Sequence, residues 1–284
     1  MKNPSEHLVK WRKFYAMSCK KHDGGYEKMP TGCYCETAAQ IATYIECVIP
    51  EEYQKYELDD FTGMKDGRRV VKTEIVLAAK EQLVSYCWEG IDPDEIGNYD
   101  FKAWWPKSAM EKRRKNGNSL LIYGDPWSST IQQGQVKAFK NPIGRTLLAA
   151  IVMKEAIRLR ARPGHMTDSY AWVSYNRLYD KLMHRAKDDE TFNDEINTYE
   201  TADWLCVDGF EIEKQNDATR MFKAKVLDSF FDERLKMGLP NVFVFQDDLS
   251  KDYDLRSEFG LSVNSIINSN KTTRVKLLDS KEVK

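Results

Sequence analysis

An α/β fold built on a doubly wound parallel sheet is predicted by three features of the sequence. Four short apolar runs, Leu120–Tyr123, Ala171–Tyr175, Trp204–Val207 and Asn241–Phe245, have the length and content of buried strands. The segments between them are long enough for crossover helices, which parallel neighbours require. The first run is broken by Gly124, and the next helix opens with Gly144, Arg145 and Thr146. Strand, glycine loop, then a helix begun by Gly-basic-Thr is how a phosphate-binding loop is built. Backbone N–H groups converge there, the helix N-terminus adds positive potential, the basic side chain reaches the terminal phosphates, and the hydroxyl ligates magnesium.

The spacing departs from the usual G-x-x-x-x-G-K-[ST] loop. Counted from Gly124, Gly-Lys-Thr would fall on Ser129, Thr130 and Ile131; counted back from Gly144, the first glycine would fall on Phe139. The loop therefore reads as extended by roughly fifteen residues, with Arg145 at the lysine position. Arginine is a planar fork where lysine is a point charge, so phosphate attraction survives while the close geometry changes. The alternative is an ordinary strand-loop-helix with a polar insertion. In the helix itself Leu147, Leu148, Ile151, Val152, Ala156 and Leu159 recur at helical spacing, leaving Lys154, Glu155, Arg158 and Arg160 to face water.

Charge and composition narrow the class. The chain has 284 residues, with 43 Lys and Arg against 44 Asp and Glu, a formal charge of -1. That excludes a globally basic nucleic-acid coat protein and leaves nucleic-acid contact to local patches. Seven tryptophans and a 42% hydrophobic content argue for a real core. The charged N-terminus has no apolar segment behind it and no run approaches the ~18 residues of a membrane span, so a soluble, cytoplasmic protein without membrane contact is expected, in the host cytoplasm if viral. The six cysteines are then reduced, and serve as ligands or core.

In chain order, residues 1–17 read as an amphipathic helix. In the next segment Cys19 and His22 are separated by two residues, and a glycine-bearing turn leads to Cys33 and Cys35, separated by one. Four such ligands suit tetrahedral zinc, and Gly24, Gly25, Pro30 and Gly32 leave little else to fold the segment; the alternative is four residues in a loop. Cys47, Cys87 and Cys206 read as core. A helix over 36–49 stops at Pro50, and a connector follows with anchors at Ile49, Tyr53, Tyr56 and Phe61. A helix from Thr73 to Trp88 puts Ile75, Ala79, Leu83 and Cys87 on one stripe. Between it and the first strand, Trp104, Trp105 and the basic run Lys112–Lys115 are candidates for a base or partner contact, or a solvated face. After the second strand a helix turns Leu178 and Leu182 inward and leaves His184 at the surface. Asp208 ends the third strand, where phosphate-loop NTPases hold magnesium; without Gly144, Arg145 and Thr146 upstream it is only an aspartate opening a turn. A helix over 217–236, the strand to Phe245, a helix around 253–268 and a short strand in TTRVKLL complete the order.

Taken together, these motifs resemble the helicase-loader ATPases of the DnaC type, the AAA+ branch that also includes the insertion-element transposition ATPases. The resemblance covers most of residues 19–277. It rests on Cys33-Tyr34-Cys35, IPEEYQKYELDDF, SLLIYGDP, GRTLLAA, AWVSYNRLYDKL, DWLCVDG, LDSFFDERLKMGLPNVFVF and FGLSVNSI. It implies an AAA+ P-loop domain over 57–284 and a zinc-binding, partner-binding module over 1–56. ATP or ADP with Mg2+ would be held by Gly124, Gly144, Arg145 and Thr146, Asp208 would be the catalytic metal-side acid, and Asp247 would stand at the sensor position. It also implies a replicative DNA helicase and single-stranded DNA as partners, and a homo-oligomer; Arg177, Lys181 and Arg185, four apart on one helix face, would contact the DNA. Three departures point to weak or absent hydrolysis: arginine for lysine, Gly209 where the family is acidic, and Ile266 near the place of the inter-subunit arginine. Glu211, two residues on, is a displaced substitute carboxylate. Motifs this degenerate fit a phage or mobile-element source. The competing expectation is a non-catalytic AAA+ relic that acts as an assembly or DNA-binding adaptor.

Overall fold

The computed structural model describes residues 34–87 and 118–277, apart from short breaks at 66–67, 70, 125–126, 133–134, 141–143, 163–164, 167, 188–189, 213–216, 248 and 250–253. Five parallel strands form the central sheet: β1 (Leu120–Tyr123), β2 (Tyr170–Ser174), β3 (Trp204–Phe210), β4 (Asn241–Phe245) and β5 (Thr273–Lys276). Their spatial order is β5-β1-β4-β3-β2.

Both faces of this sheet are covered, which is why its strands read as continuous apolar runs rather than as alternating ones. On one face Leu120, Ile122, Val242 and Val244 pack with α1 (Tyr34–Val48), α3 (Thr73–Cys87) and α4 (Arg145–Arg160). The short α2 (Glu51–Gln54) joins α1 to this layer. On the other face Leu121, Val207, Phe243 and Phe245 pack with α5 (Tyr175–Arg185), α6 (Asn193–Thr201), α7 (Asp217–Lys236), α8 (Leu255–Phe259) and α9 (Leu261–Asn268). The predicted doubly wound parallel sheet is thus observed.

Several expectations are corrected. Lys154 and Glu155 do not face water: they are 0% and 3% exposed. Helix α4 packs on the sheet and is flanked by α1, α2 and α3, which leaves no side of it for solvent over this stretch. Lys154 Nζ is accommodated by donating to the carbonyls of Gln54 and Tyr56 and to Glu57 Oε1 at 3.1 Å, which staples the connector to α4. Cys47 is exposed, because Ile41, Ile45 and Ile49 define the inward stripe around α1. Of the connector anchors, Ile49 and Phe61 are buried and Tyr53 and Tyr56 half-buried. The helix expected over 253–268 is two helices, broken at Gly260 (φ +92), where a Cβ would stand 2.7 Å from Ala224 O and from Asp228 Cβ. Helix α6 was not anticipated. The expected N-terminal helix over 1–17, Cys19, His22 and Cys33, the tryptophan pair at 104–105 and the basic run at 112–115 lie outside the described residues; Cys35 falls within α1.

The extension ahead of α4 has a definite form. Residues Trp127–Gln132 and Gln135–Lys140 pair as an antiparallel β-ribbon in a continuous register from Trp127↔Lys140 to Gln132↔Gln135. The lengthened loop of the sequence reading is therefore a hairpin set between the end of β1 and the start of α4.

Candidate functional site

In a doubly wound sheet, ligands bind at the carboxyl ends of neighbouring strands whose connections leave to opposite faces. Here those neighbours are β1, followed by α4 on one face, and β4, followed by α8 and α9 on the other. Gly124 N–H donates to Asp247 O at 3.4 Å across the gap between their ends.

Around this crevice the fold gathers all the predicted phosphate-site residues. Gly144 sits at φ +86 just before α4 and accepts from Leu148 N–H at 2.9 Å, starting the helix. The Phe61 ring lies 2.8 Å from where a Cβ on Gly144 would stand, so no side chain fits there. Thr146 Oγ1 donates to Asp208 Oδ1 at 3.2 Å. Asp208 lies on β3, which does not end there as expected but continues to Phe210. Gly209 (φ +88) makes this possible: the β3–β4 register shifts between Asp208↔Val244 and Phe210↔Phe245, and the bulge re-aims the strand.

The electrostatics follow from burial. Asp208 is raised from its ordinary 3.8 to about 6 because burial penalises its charge, against the Thr146 hydrogen bond, the Arg145 charge and the Gly209 N–H. Burial and then the Asp208 charge also push up the Cys206 thiol, which makes it an inert core group. The Tyr53 hydroxyl on the connector is raised first by burial and next by Asp208.

Arg145 is placed differently from a lysine reaching outward to phosphate. It is 5% exposed. Its Nη1 donates to Gly124 O and, at 2.8 Å, to Gln246 O, while Nη2 donates to Gln246 Oε1 at 2.8 Å. Asp247 turns its carboxylate to the chain after β3, where Oδ2 accepts from Ile212 N–H at 2.8 Å. At the end of β4, then, the side chain that meets the predicted cation is Gln246, which the sequence did not single out. An amide following a strand looks like any turn residue, and no local pattern marks it.

Two other expectations meet a different geometry. Arg177, Lys181 and Arg185 do lie on one face of α5, but that face docks α6: Lys181 Nζ is 2.8 Å and Arg177 Nη2 3.5 Å from Glu195 Oε2, and Arg185 contacts both oxygens of Glu200 at 3.3 and 3.4 Å. Lys181 is 4% exposed and stands 3.9 Å from the Phe192 ring centroid. The row is paired with carboxylates of its own chain, and the Arg177 side chain stays 65% exposed. Ile266 is 4% exposed in the core, so its position does not offer a side chain to a neighbouring subunit. Among the described residues no cluster of metal-ligating side chains is found, and no helix is long and apolar enough to cross a membrane.

The parallel order, the helices on both faces and the glycine-led helix after β1 define a doubly wound α/β fold. No family model matches the chain, and no curated protein does. Among solved structures it is similar to the DnaC helicase loader, at 15% identity over 80% of this chain and 100% of that one, with a TM-score of 0.49. It is also similar to DnaI, at 14% identity over 80% and 91% and a TM-score of 0.46. A putative primosome component from Streptococcus pyogenes serotype M3 aligns at 12% identity over 84% and 97%, with a TM-score of 0.46. At these identities the likeness is one of fold.

Proposed function

We propose that the chain is a helicase-loader-like AAA+ protein of DNA replication, which binds ATP or ADP with Mg2+ and hydrolyses ATP weakly or not at all. The observation that carries this reading is the Thr146 hydroxyl 3.2 Å from the Asp208 carboxylate, at the start of α4 and beside the switch point of the sheet. A hydroxyl beside a carboxylate is the donor set that phosphate-loop proteins offer to magnesium. The residues fit such an ion: Asp208 carries a charge that burial disfavours, and a divalent cation would offset that cost. When bound, the ion would neutralise phosphate charge. The chain's own contribution is to orient Thr146 and Asp208 through α4 and β3, and to hold the turn at Gly144 against Phe61.

Chemistry beyond binding lacks support. Gly209 stands where a second acid would polarise water, and the Ile266 position is buried, so no arginine from there enters a neighbour's site. Losing an arginine finger alone costs ~10³ or more in rate. Steady-state ATP turnover with magnesium is therefore expected to be at background, and brisk turnover would contradict this.

On this reading residues 57–284 form the ATPase-like unit, and 1–56 the partner end, which holds Zn2+ through Cys19, His22, Cys33 and Cys35. It engages a replicative helicase and single-stranded DNA in the cytoplasm, as a homo-oligomer. Metal analysis of fresh protein should find about one zinc per chain, lost in Cys33→Ser; finding none would remove the zinc module. The functional test is co-purification: a hexameric helicase should be retained by the full chain, and failure to retain one would count against the loader role. A second reading, a non-catalytic adaptor, is favoured by one observation, the engagement of the Arg145 guanidinium by Gly124 and Gln246.

A further inference from the structure

Building on the nucleotide reading above, we propose that Gln246 is a positioning residue that latches Arg145 across the carboxyl ends of β1 and β4, so that phosphate binding is coupled to release of this latch. Arginine presents its donors as a rigid fork, with two hydrogens on each Nη. Both hydrogens of Nη1 are engaged, one by Gly124 O at the end of β1 and one by Gln246 O just past β4, and one hydrogen of Nη2 by Gln246 Oε1. Bidentate binding of a phosphate uses this same fork. Three of its five donors are thus engaged, so a phosphate that takes the Nη1–Nη2 end of the fork has to displace the Gln246 contacts.

Gln246 is held ready for this role by the backbone. Its N–H donates to Phe210 O at 2.7 Å, immediately beyond the Gly209 bulge, and the neighbouring Asp247 O receives Gly124 N–H. One residue thus touches the ends of β3 and β4 while its side chain and carbonyl hold the cation, and Asp208, the metal-side carboxylate, lies two residues before Phe210. Nucleotide at Thr146 and Asp208 would report to the ends of three strands through the release of one side chain. A lysine at position 145 could not span the same acceptors, which gives the departure from the usual loop residue a physical purpose.

A charge-assisted hydrogen bond shifts a two-state balance by about tenfold or more, and the apparent affinity of a ligand falls by the fraction of protein held in the closed arrangement. The test is a titration with a fluorescent ATP analogue and magnesium of the full-length chain, Gln246→Ala, Arg145→Met and the double variant. The latch predicts that Gln246→Ala binds about tenfold more tightly than wild type, and that the gain disappears when Arg145 is Met. A purely structural role for Gln246 would weaken binding and would not depend on Arg145. Gln246→Asn, which withdraws the amide by one methylene and stays polar, should move in the same direction as Gln246→Ala and guards against a folding defect in the latter. If wild type binds and Gln246→Ala binds equally or less well, or if its gain persists without Arg145, the latch is wrong and the nucleotide reading stands. If none of the four proteins binds, both fall.

Discussion

Asp208→Asn should make the nucleotide-free protein more stable than wild type at pH 8, by on the order of 3 kcal/mol, with the advantage fading towards pH 4. Burial raises the Asp208 carboxyl from 3.8 to about 6, so between those values the folded protein holds a proton that the unfolded chain has released. The stability contributed by protonated Asp208 is complete below pH 3.8 and is lost as pH rises through 6. An asparagine carries no charge to desolvate, and its carbonyl can still accept from Thr146. Denaturant melts of the two proteins across pH 4–8 read the difference directly. Parallel pH profiles would mean that Asp208 is not a buried acid held at a cost. Carboxylates retained at such a cost are where ligand sites are sought.

The second large effect concerns the frame that carries the site. Arg234→Ala should cost about 3–5 kcal/mol, a fall in Tm of roughly 10 °C. Arg234 is fully buried at the end of α7. Its Nε donates to Asn241 Oδ1 at 2.7 Å, Nη1 to the carbonyls of Tyr199, Glu200 and Ala202 at 2.8–3.1 Å, and Nη2 to Pro240 O at 2.9 Å. It therefore closes the end of α6 and fixes where β4 begins, and β4 delivers Gln246. Removing the side chain leaves those buried acceptors short of a donor, each a loss of about 1–3 kcal/mol less what water can replace. Arg234→Lys keeps the charge but not the fork, and should recover only part of the loss. A variant within 1 kcal/mol of wild type by denaturant melting would show that the arginine is a passenger.

Much of this architecture was legible in the sequence because burial on both sides of a sheet writes itself as apolar runs. Leu120–Tyr123 and Asn241–Phe245 match observed strands residue for residue, and α7 spans the expected 217–236. Asp208 and Thr146 were paired by motif alone, and they touch. What was missed has physical reasons. Helix α6, NDEINTYET, has one fully buried apolar anchor, Ile196, and docks through Glu195 and Glu200, so it shows little hydrophobic period. Lys154 and Glu155 looked solvent-facing because periodicity cannot reveal the neighbouring helices and connector that close around α4. The β-ribbon after Gly124 opens with a strand, WSSTIQ, that is mostly polar, so it does not read as an apolar run. Its one sequence cue was the two-residue Gln133-Gly134 connection between complementary stretches. The contact of Arg145 with Gln246 spans 101 positions and could come only from the fold.

The start of α4, with Thr146 against Asp208, is the proposed site for polyphosphate and magnesium. Thermal denaturation at pH 8 with millimolar ATP, with and without magnesium, tests it most directly in wild type, Arg145→Ala and Asp208→Asn. A site of this kind predicts a magnesium-dependent rise in wild-type Tm that Arg145→Ala abolishes and Asp208→Asn loses in its magnesium-dependent part. An unchanged wild-type Tm, or a rise that both variants retain in full, would contradict it.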